Sequence, residues 1–226
     1  MRVVHRLRYD TERFPFAEVA AEVLGVTSLA VMADEVLAEK RRRDPNAILA
    51  TEDNLRLRGI LAATPPDHPL RRMYVEATMA ALSQLATGSV ALTTNPTFRV
   101  HLPGTPTVSG WHRDADVTRR LDYINLWVPF VDAEGTATIW VDDNYGSHRP
   151  EPIAVNYGEM LVFDGGLLRH GSVTNTTSIT RVSFDARFAV RTDEWRSAVA
   201  PILAGRRPED LVLAEEGSIG AEVNYD

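Results

Sequence analysis

The sequence predicts an α+β domain that is mainly β, a sandwich or barrel of short strands with helices packed on one sheet. Three observations predict it. The pattern changes near residue 90, from helical periodicity before it to short β-type runs after it. Those runs are separated by Gly, Pro, Asn and Asp, the residues that punctuate strands. Several runs alternate apolar and polar side chains, so each strand has one face for a core and another for a different purpose.

The elements follow in chain order. Residues 14–24 and 28–42 read as helices. In the second, Leu29, Met32, Val36 and Leu37 recur near helical spacing, and Lys40-Arg41-Arg42-Arg43 ends it where positive charge suits the helix dipole. A basic run this short reads as a solvated helix end. Residues 44–66 read as irregular, punctuated by Pro45, Pro65 and Pro66. Asp67-His68-Pro69 opens the strongest helix, with proline in its first turn. Leu70, Met73, Ala77, Ala81, Leu82 and Leu85 line one side of it until Thr87-Gly88 marks its end. Strands are expected near 90–93, 97–102, 108–112, 122–130, 136–141, 152–155, 159–163, 169–174 and 180–190. Helices first and strands later fit one sheet face covered by the N-terminal helices.

Three strands carry the informative alternation. In 180–190, Val182, Phe184, Ala186, Phe188 and Val190 share one face, and Arg181, Ser183, Asp185 and Arg187 share the other. In 122–130, Ile124, Leu126, Val128 and Phe130 oppose Tyr123, Asn125 and Trp127. In 97–102, Phe98, Val100 and Leu102 oppose Thr97, Arg99 and His101. Polar faces ordinarily meet water. Arg, His, Asn, Trp and Ser mixed on three of them fit a lined cavity better, with helices over the apolar side.

Composition bounds the rest. At 226 residues and 44% hydrophobic, the chain can bury one sizeable core. A single domain over 1–226 is expected: a helical subregion over about 1–89, a β core over about 90–190 and a C-terminal extension over 191–226. A net charge of −7 argues against nucleic acid and anionic membranes as partners. No run approaches the roughly 18 apolar residues of a membrane span. The absence of cysteine excludes disulfides, zinc–thiolate sites, iron–sulfur clusters and thiol nucleophiles. With no apolar stretch of signal-peptide length at the N-terminus, the cytoplasm is the expected compartment. The expected partner is a small-molecule substrate, met by a monomer or homodimer.

The chemistry gathers around Trp111-His112-Arg113-Asp114. On an extended chain His112 and Asp114 point to the same side, so both can reach one metal. The best third ligand is His170, in a stretch that reads as strand, Gly165-Gly166 turn, then a new strand opening at the histidine. Two histidines and one carboxylate on one face of an octahedral metal leave positions open, the arrangement of Fe(II) oxygenases. Arg181 and Ser183 follow on one face of the next strand. A guanidinium fork matches a carboxylate with two hydrogen bonds, and the serine hydroxyl can add a third. They meet the need of 2-oxoglutarate for a cationic anchor several ångströms from the metal.

The order His-X-Asp, distal His, Arg-X-Ser resembles the Fe(II)/2-oxoglutarate-dependent oxygenase superfamily, over roughly residues 90–190. Asn144-Tyr145-Gly146-Ser147-His148-Arg149, Gly158-Glu159-Met160-Leu161-Val162-Phe163 and His170-Gly171-Ser172 are similar to its phytanoyl-CoA-hydroxylase-like branch. Gly110-Trp111-His112-Arg113-Asp114 is similar to oxygenases of aminoglycoside biosynthesis, antibiotic-tailoring enzymes. The resemblance implies a double-stranded β-helix, or jelly roll. It implies Fe(II) on His112, Asp114 and His170, 2-oxoglutarate held by Arg181 and Ser183, and dioxygen as oxidant. Succinate and CO2 would be released, and an Fe(IV)-oxo species would attack a C–H bond of an aminoglycoside or cyclitol-sugar intermediate. Related halogenases carry a small residue where Asp114 stands, so hydroxylation, desaturation or oxidative ring closure is implied. One departure stands out: that branch usually has proline where this chain has Tyr145.

Other candidates are weaker. Asn125 can hydrogen-bond the co-substrate and Trp127 can wall the pocket. Arg99, His101 and Arg187 face the same cavity, and Asp116 and Asp142 can meet a cationic substrate. Residues 44–66 and 103–120 are placed to act as lids. Two other readings stay open: a cupin-like metal-dependent isomerase or epimerase, and a non-catalytic jelly-roll binding module.

Overall fold

A computed structural model describes residues 2–207 and Leu211. The expected C-terminal extension beyond Arg207, Leu211 apart, lies outside the described residues. Among these, the order is β1 (Val4–Arg8), α1 (Phe16–Leu24), α2 (Met32–Arg43), α3 (Thr51–Ala62), α4 (Pro69–Leu82), β2 (Ala91–Leu92), β3 (Thr97–His101), α5 (Asp114–Thr118), β4 (Tyr123–Pro129), β5 (Ile139–Asp142), β6 (Pro150–Ile153), β7 (Glu159–Phe163), β8 (His170–Gly171), β9 (Arg181–Ala189) and α6 (Asp193–Leu203). The class is α+β, as expected, but the expectation of a mainly β chain is not met: among the described residues the helices cover more of the chain than the strands, because α3 and α6 add to the helical layer.

Two antiparallel sheets form. The larger runs β1-β7-β4-β9, with β2 and β3 both pairing along the outer edge of β9. The smaller runs β6-β5-β8. The alternation decides what each face of the large sheet does. Phe98, Val100, Ile124, Leu126, Val128, Met160, Val162, Val182, Phe184, Ala186 and Phe188 enter one core with α1, α3, α4 and α6. Phe184 sits at its centre, 5.2–6.5 Å from the rings of Phe16, Tyr74, Phe98 and Phe130. The opposite face sends Trp127, Leu161 and Phe163 into a second core with Ile139, Val141 and Ile153 of the small sheet.

Four local expectations are corrected. Residues 44–66 are not irregular, because α3 lies inside them. Asp53 accepts from the Ala50 N–H at 2.9 Å and pairs with Lys40, which fixes the helix start. Asn54, fully buried, accepts from Leu102 N–H at 2.9 Å and donates to Thr105 Oγ1 at 2.8 Å. With Leu57 and Leu61 also buried, α3 is scaffold rather than lid. Residues 108–112 form no strand; Ser109 folds back on Thr107, and only His112 makes a bridge, to His170. The strand expected at 169–174 shrinks to His170–Gly171. A strand the pattern did not reveal, β1, pairs with β7 from Val4↔Phe163 to Arg8↔Glu159.

Candidate metal centre

His112, Asp114 and His170 meet between the two sheets, and one ligand atom from each lies within 4.8 Å of the others. The folding that brings them together is local and specific. His112 and His170 exchange both backbone hydrogen bonds, N–H to O at 3.0 and 2.9 Å, so the two histidines stand directly opposite each other. Arg113 is extended, and the chain then turns into α5 at Asp114. The His-X-Asp pair therefore sits at a junction between extended chain and helix, rather than on a strand or its end as expected, yet both side chains reach the same point.

The proton positions follow from the partners. His112 Nδ1 lies 2.8 Å from Gly110 O, and His170 Nδ1 lies 3.0 Å from Leu168 O. A carbonyl only accepts, so each Nδ1 carries the proton and each Nε2 presents a lone pair. Asp114 Oδ2 accepts from Asn125 Nδ2 and from Arg187 Nε, both at 2.5 Å. Its other oxygen, Oδ1, is buried without a hydrogen-bond partner, 3.3 Å from His112 Nε2 and 3.8 Å from His170 Nε2. Two imidazole lone pairs and one carboxylate oxygen thus converge, with every outward-facing atom of the three groups already engaged. This is the arrangement in which surrounding partners orient metal ligands, and the donor set suits a divalent transition metal.

Electrostatics agree. Burial works against ionising Asp114, but His112, His170 and Arg187 around it hold the carboxyl well below its usual range. Burial pushes His170 down to about 4, and His112 beside it acts the same way. Burial also opposes a charge on His112, yet the Asp114 carboxylate outweighs it and raises the imidazole.

A small cavity of about 30 Å³, open to the outside, lies against His112 and His170. Arg99, Asn125, Trp127, Arg181 and Asp185 line its large-sheet side. Arg181 is wholly buried: one Nη donates to Ser172 Oγ at 3.0 Å, while Nε has no partner. Burial, with Arg99 nearby, pushes its pKa down to about 10. Ser183 lies on the same face, its hydroxyl buried and unpartnered, but it is set behind the cavity surface. Arg99 pairs directly with Ser183 across the strands and binds Asp185 at 3.0 Å.

No family model matches the chain. It is 33% identical over 184 residues, 80% of its length and 82% of the relative's, to the streptomycin biosynthesis protein StrG of Streptomyces griseus. The chain belongs to the StrG family. Among solved structures it is similar to the non-heme monooxygenase ThoJ in its apo form (14% identical, 81% of this chain and 71% of that one, TM-score 0.47). It is also similar to CytC3 with Fe(II) and alpha-ketoglutarate (13%, 83% and 73%, 0.46) and to EvdMO1 (20%, 58% and 34%, 0.44). At that distance these likenesses carry no chemistry to this chain.

In this StrG-family protein the remaining expected residues divide. Asn125 lines the cavity but commits its amide N–H to Asp114, and Arg187 likewise grips Asp114. His101 is buried across from Arg181, donating from Nε2 to Thr105 O at 3.0 Å and leaving Nδ1 unpartnered. Asp116 is bound by Arg113 at 2.6 Å, and the buried Asp142 by Arg169 at 3.2 Å. Neither lines the cavity. Sequence reasoning missed Ser172 as the partner of Arg181; its only signal was its place two residues after His170, on the same face. Among the described residues no helix is long and apolar enough to cross a membrane.

Proposed function

We propose that this protein is a non-haem Fe(II)/2-oxoglutarate-dependent dioxygenase of antibiotic biosynthesis, a single oxygenase domain built on a jelly roll. The observation that carries the proposal is the convergence of three lone pairs, His112 Nε2, His170 Nε2 and the partnerless Asp114 Oδ1, beside a cavity with a buried arginine. When bound, Fe(II) with 2-oxoglutarate and dioxygen supplies an oxidant for an unactivated C–H bond, with succinate and CO2 released.

The chain's own residues supply position and charge. His112, Asp114 and His170 would hold the metal, and the hydrogen bonds on their outward atoms keep the inward ones aimed. Arg181, with an unused Nε and a wholly buried guanidinium, takes the distal carboxylate of 2-oxoglutarate, helped by the Ser183 hydroxyl behind it. A carboxylate there relieves the cost of burying a cation without a counter-charge. Trp127 and Phe163 wall the cavity and restrict water. The substrate is a small polar natural product, an aminoglycoside or cyclitol-sugar intermediate in view of the relation to StrG. With a carboxylate at position 114, where related halogenases carry a small residue, hydroxylation or oxidative ring closure is the outcome this reading favours. A cupin-like isomerase or a binding module would leave Arg181 and Ser183 with nothing to hold.

Anaerobic addition of Fe(II) and 2-oxoglutarate tests the proposal through the weak visible charge-transfer band of the chelate. The band is expected in the wild type and depends on both additions. No band at saturating concentrations of both sinks the proposal.

A further inference from the structure

The departure at Tyr145 and the segment after α6 meet at one place. Tyr145 is buried and donates from its hydroxyl to Asp164 Oδ2 at 2.8 Å. Arg206, just past α6, grips the same carboxylate with two bonds, from Nε at 2.6 Å and from Nη2 at 2.8 Å. Its remaining Nη donates to Leu121 O at 3.0 Å, and Arg207 reaches Tyr145 O at 3.3 Å. Asp164 is wholly buried, and three donors surround it.

Asp164 heads the turn that sets two metal ligands. Its carbonyl accepts the Leu168 N–H at 2.8 Å. The next two carbonyls, of Gly165 and Gly166, accept the N–H groups of Asp114 and Ala115 at 2.9 and 3.1 Å, capping the first turn of α5. Leu168 O, at the end of the turn, takes the Nδ1 proton of His170. The turn has little room for side chains, least of all at Gly165. A Cβ on Gly165 would fall 2.4 Å from Asn125 Cγ, and one on Gly166 would fall 3.2 Å from Asp164 Oδ1.

We infer that Tyr145, Asp164 and Arg206 form a clasp that positions the metal ligands. They touch no ligand atom; they hold the Asp164–Leu168 turn, and the turn holds the Asp114 backbone and the His170 ring. A buried carboxylate gripped by a bidentate guanidinium and a phenol resists displacement, because any movement strands charge in an apolar setting. The segment after α6 thereby becomes part of the metal site, although it contributes no ligand. The inference rests on reading His112, Asp114 and His170 as a metal centre.

Two measurements on the full chain test it. In metal-free protein, amide hydrogen exchange at Asp114 and Ala115 reports on the turn directly. Arg206→Met is expected to speed exchange there by about tenfold or more, with Val182, deep in β9, unchanged. Tyr145→Phe should give a smaller rise, and Arg206→Lys a partial rescue. Co(II) titration followed by its visible bands should show about tenfold weaker binding for Arg206→Met, the range found when groups behind metal ligands are removed. Wild-type exchange at Asp114 and Ala115 in folded Arg206→Met overturns the clasp. So does a rise shared equally by Val182, which would mark general loosening. If Arg206→Met does not fold, wild-type exchange in both Tyr145→Phe and Arg206→Lys overturns it. A wild type that takes up no Co(II) would sink the metal reading, while the exchange arm still judges the clasp.

Discussion

On the helix side of the large sheet, β9 presents Val182, Phe184, Ala186 and Phe188 to a core of aromatic and aliphatic side chains. On the other side the same strand presents Arg181, Ser183, Asp185 and Arg187. The helix-covered face is closed by packing, with only scattered unpartnered atoms in the layer over it, such as Tyr9 Oη and Thr78 Oγ1. The site face keeps atoms in reserve: His101 Nδ1, Asp114 Oδ1, Asn125 Oδ1, Arg181 Nε and Ser183 Oγ are buried without partners along β3, β4, β9 and the start of α5. A buried polar atom without a partner costs stability, so a cluster of them marks where ligand atoms belong. One strand thus stabilises the fold with alternate residues and spends some of that stability on a site with the others.

The contrast predicts separable effects. Phe184→Ala should strike the core face hardest, lowering unfolding free energy by about 3–5 kcal/mol in urea titration, while metal affinity measured in the folded fraction stays near wild type. A parallel loss of metal affinity would mean the faces are not independent.

The second effect is pH dependence on the site face. Burial, with Arg181 adding to it, pushes His101 down to about 4 from its ordinary 6.5. Between those values the unfolded chain binds a proton that the folded chain refuses, so stability falls as pH drops through the window. The loss by pH 4 should be about 2–3 kcal/mol. His170, also pushed down to about 4, titrates through the same window, so His101→Gln should remove only the His101 share of the fall in the metal-free stability profile; an unchanged profile would remove His101 as a cause.

Arg181→Ala should weaken 2-oxoglutarate by more than about tenfold, as loss of a charge-assisted fork implies, and leave the metal bound. Calorimetric titration of both ligands separates the two, and metal loss would reassign Arg181. At the small end, Arg42→Ala breaks an exposed pair with Glu39 at 2.7 Å. It should shift stability by less than about 0.5 kcal/mol, and a larger shift would show that the basic helix end is more than solvated surface.

How much of this was readable beforehand depends on the range of the interaction. Period-two alternation in β3, β4 and β9 placed both faces, because side-chain direction in a strand is a local property. The approach of His112, Asp114 and His170 was legible from their order around the Gly165-Gly166 turn. α3 was not legible. Its apolar residues Leu55, Leu57 and Leu61 do not fall on one stripe, Leu55 is exposed, and flanking prolines suggested a loop. Nor was the grip of Asn125 and Arg187 on Asp114, since it depends on strand register, which no local pattern contains. Asp116 and Asp142, offered for a cationic substrate, are bound by Arg113 and Arg169; pairing of a carboxylate with a nearby arginine is visible only once the chain is folded.

The central claim is that His112, Asp114 and His170 together hold one metal. Anaerobic titration of the metal-free protein with Fe(II), watching both stoichiometry and affinity, tests it most directly when His112→Ala, Asp114→Ala and His170→Ala are run beside the wild type. One ion per chain is expected for the wild type, with each single variant losing at least about tenfold in affinity. A wild type that binds no ion, or an Asp114→Ala variant that binds it as well as the wild type, would contradict the account.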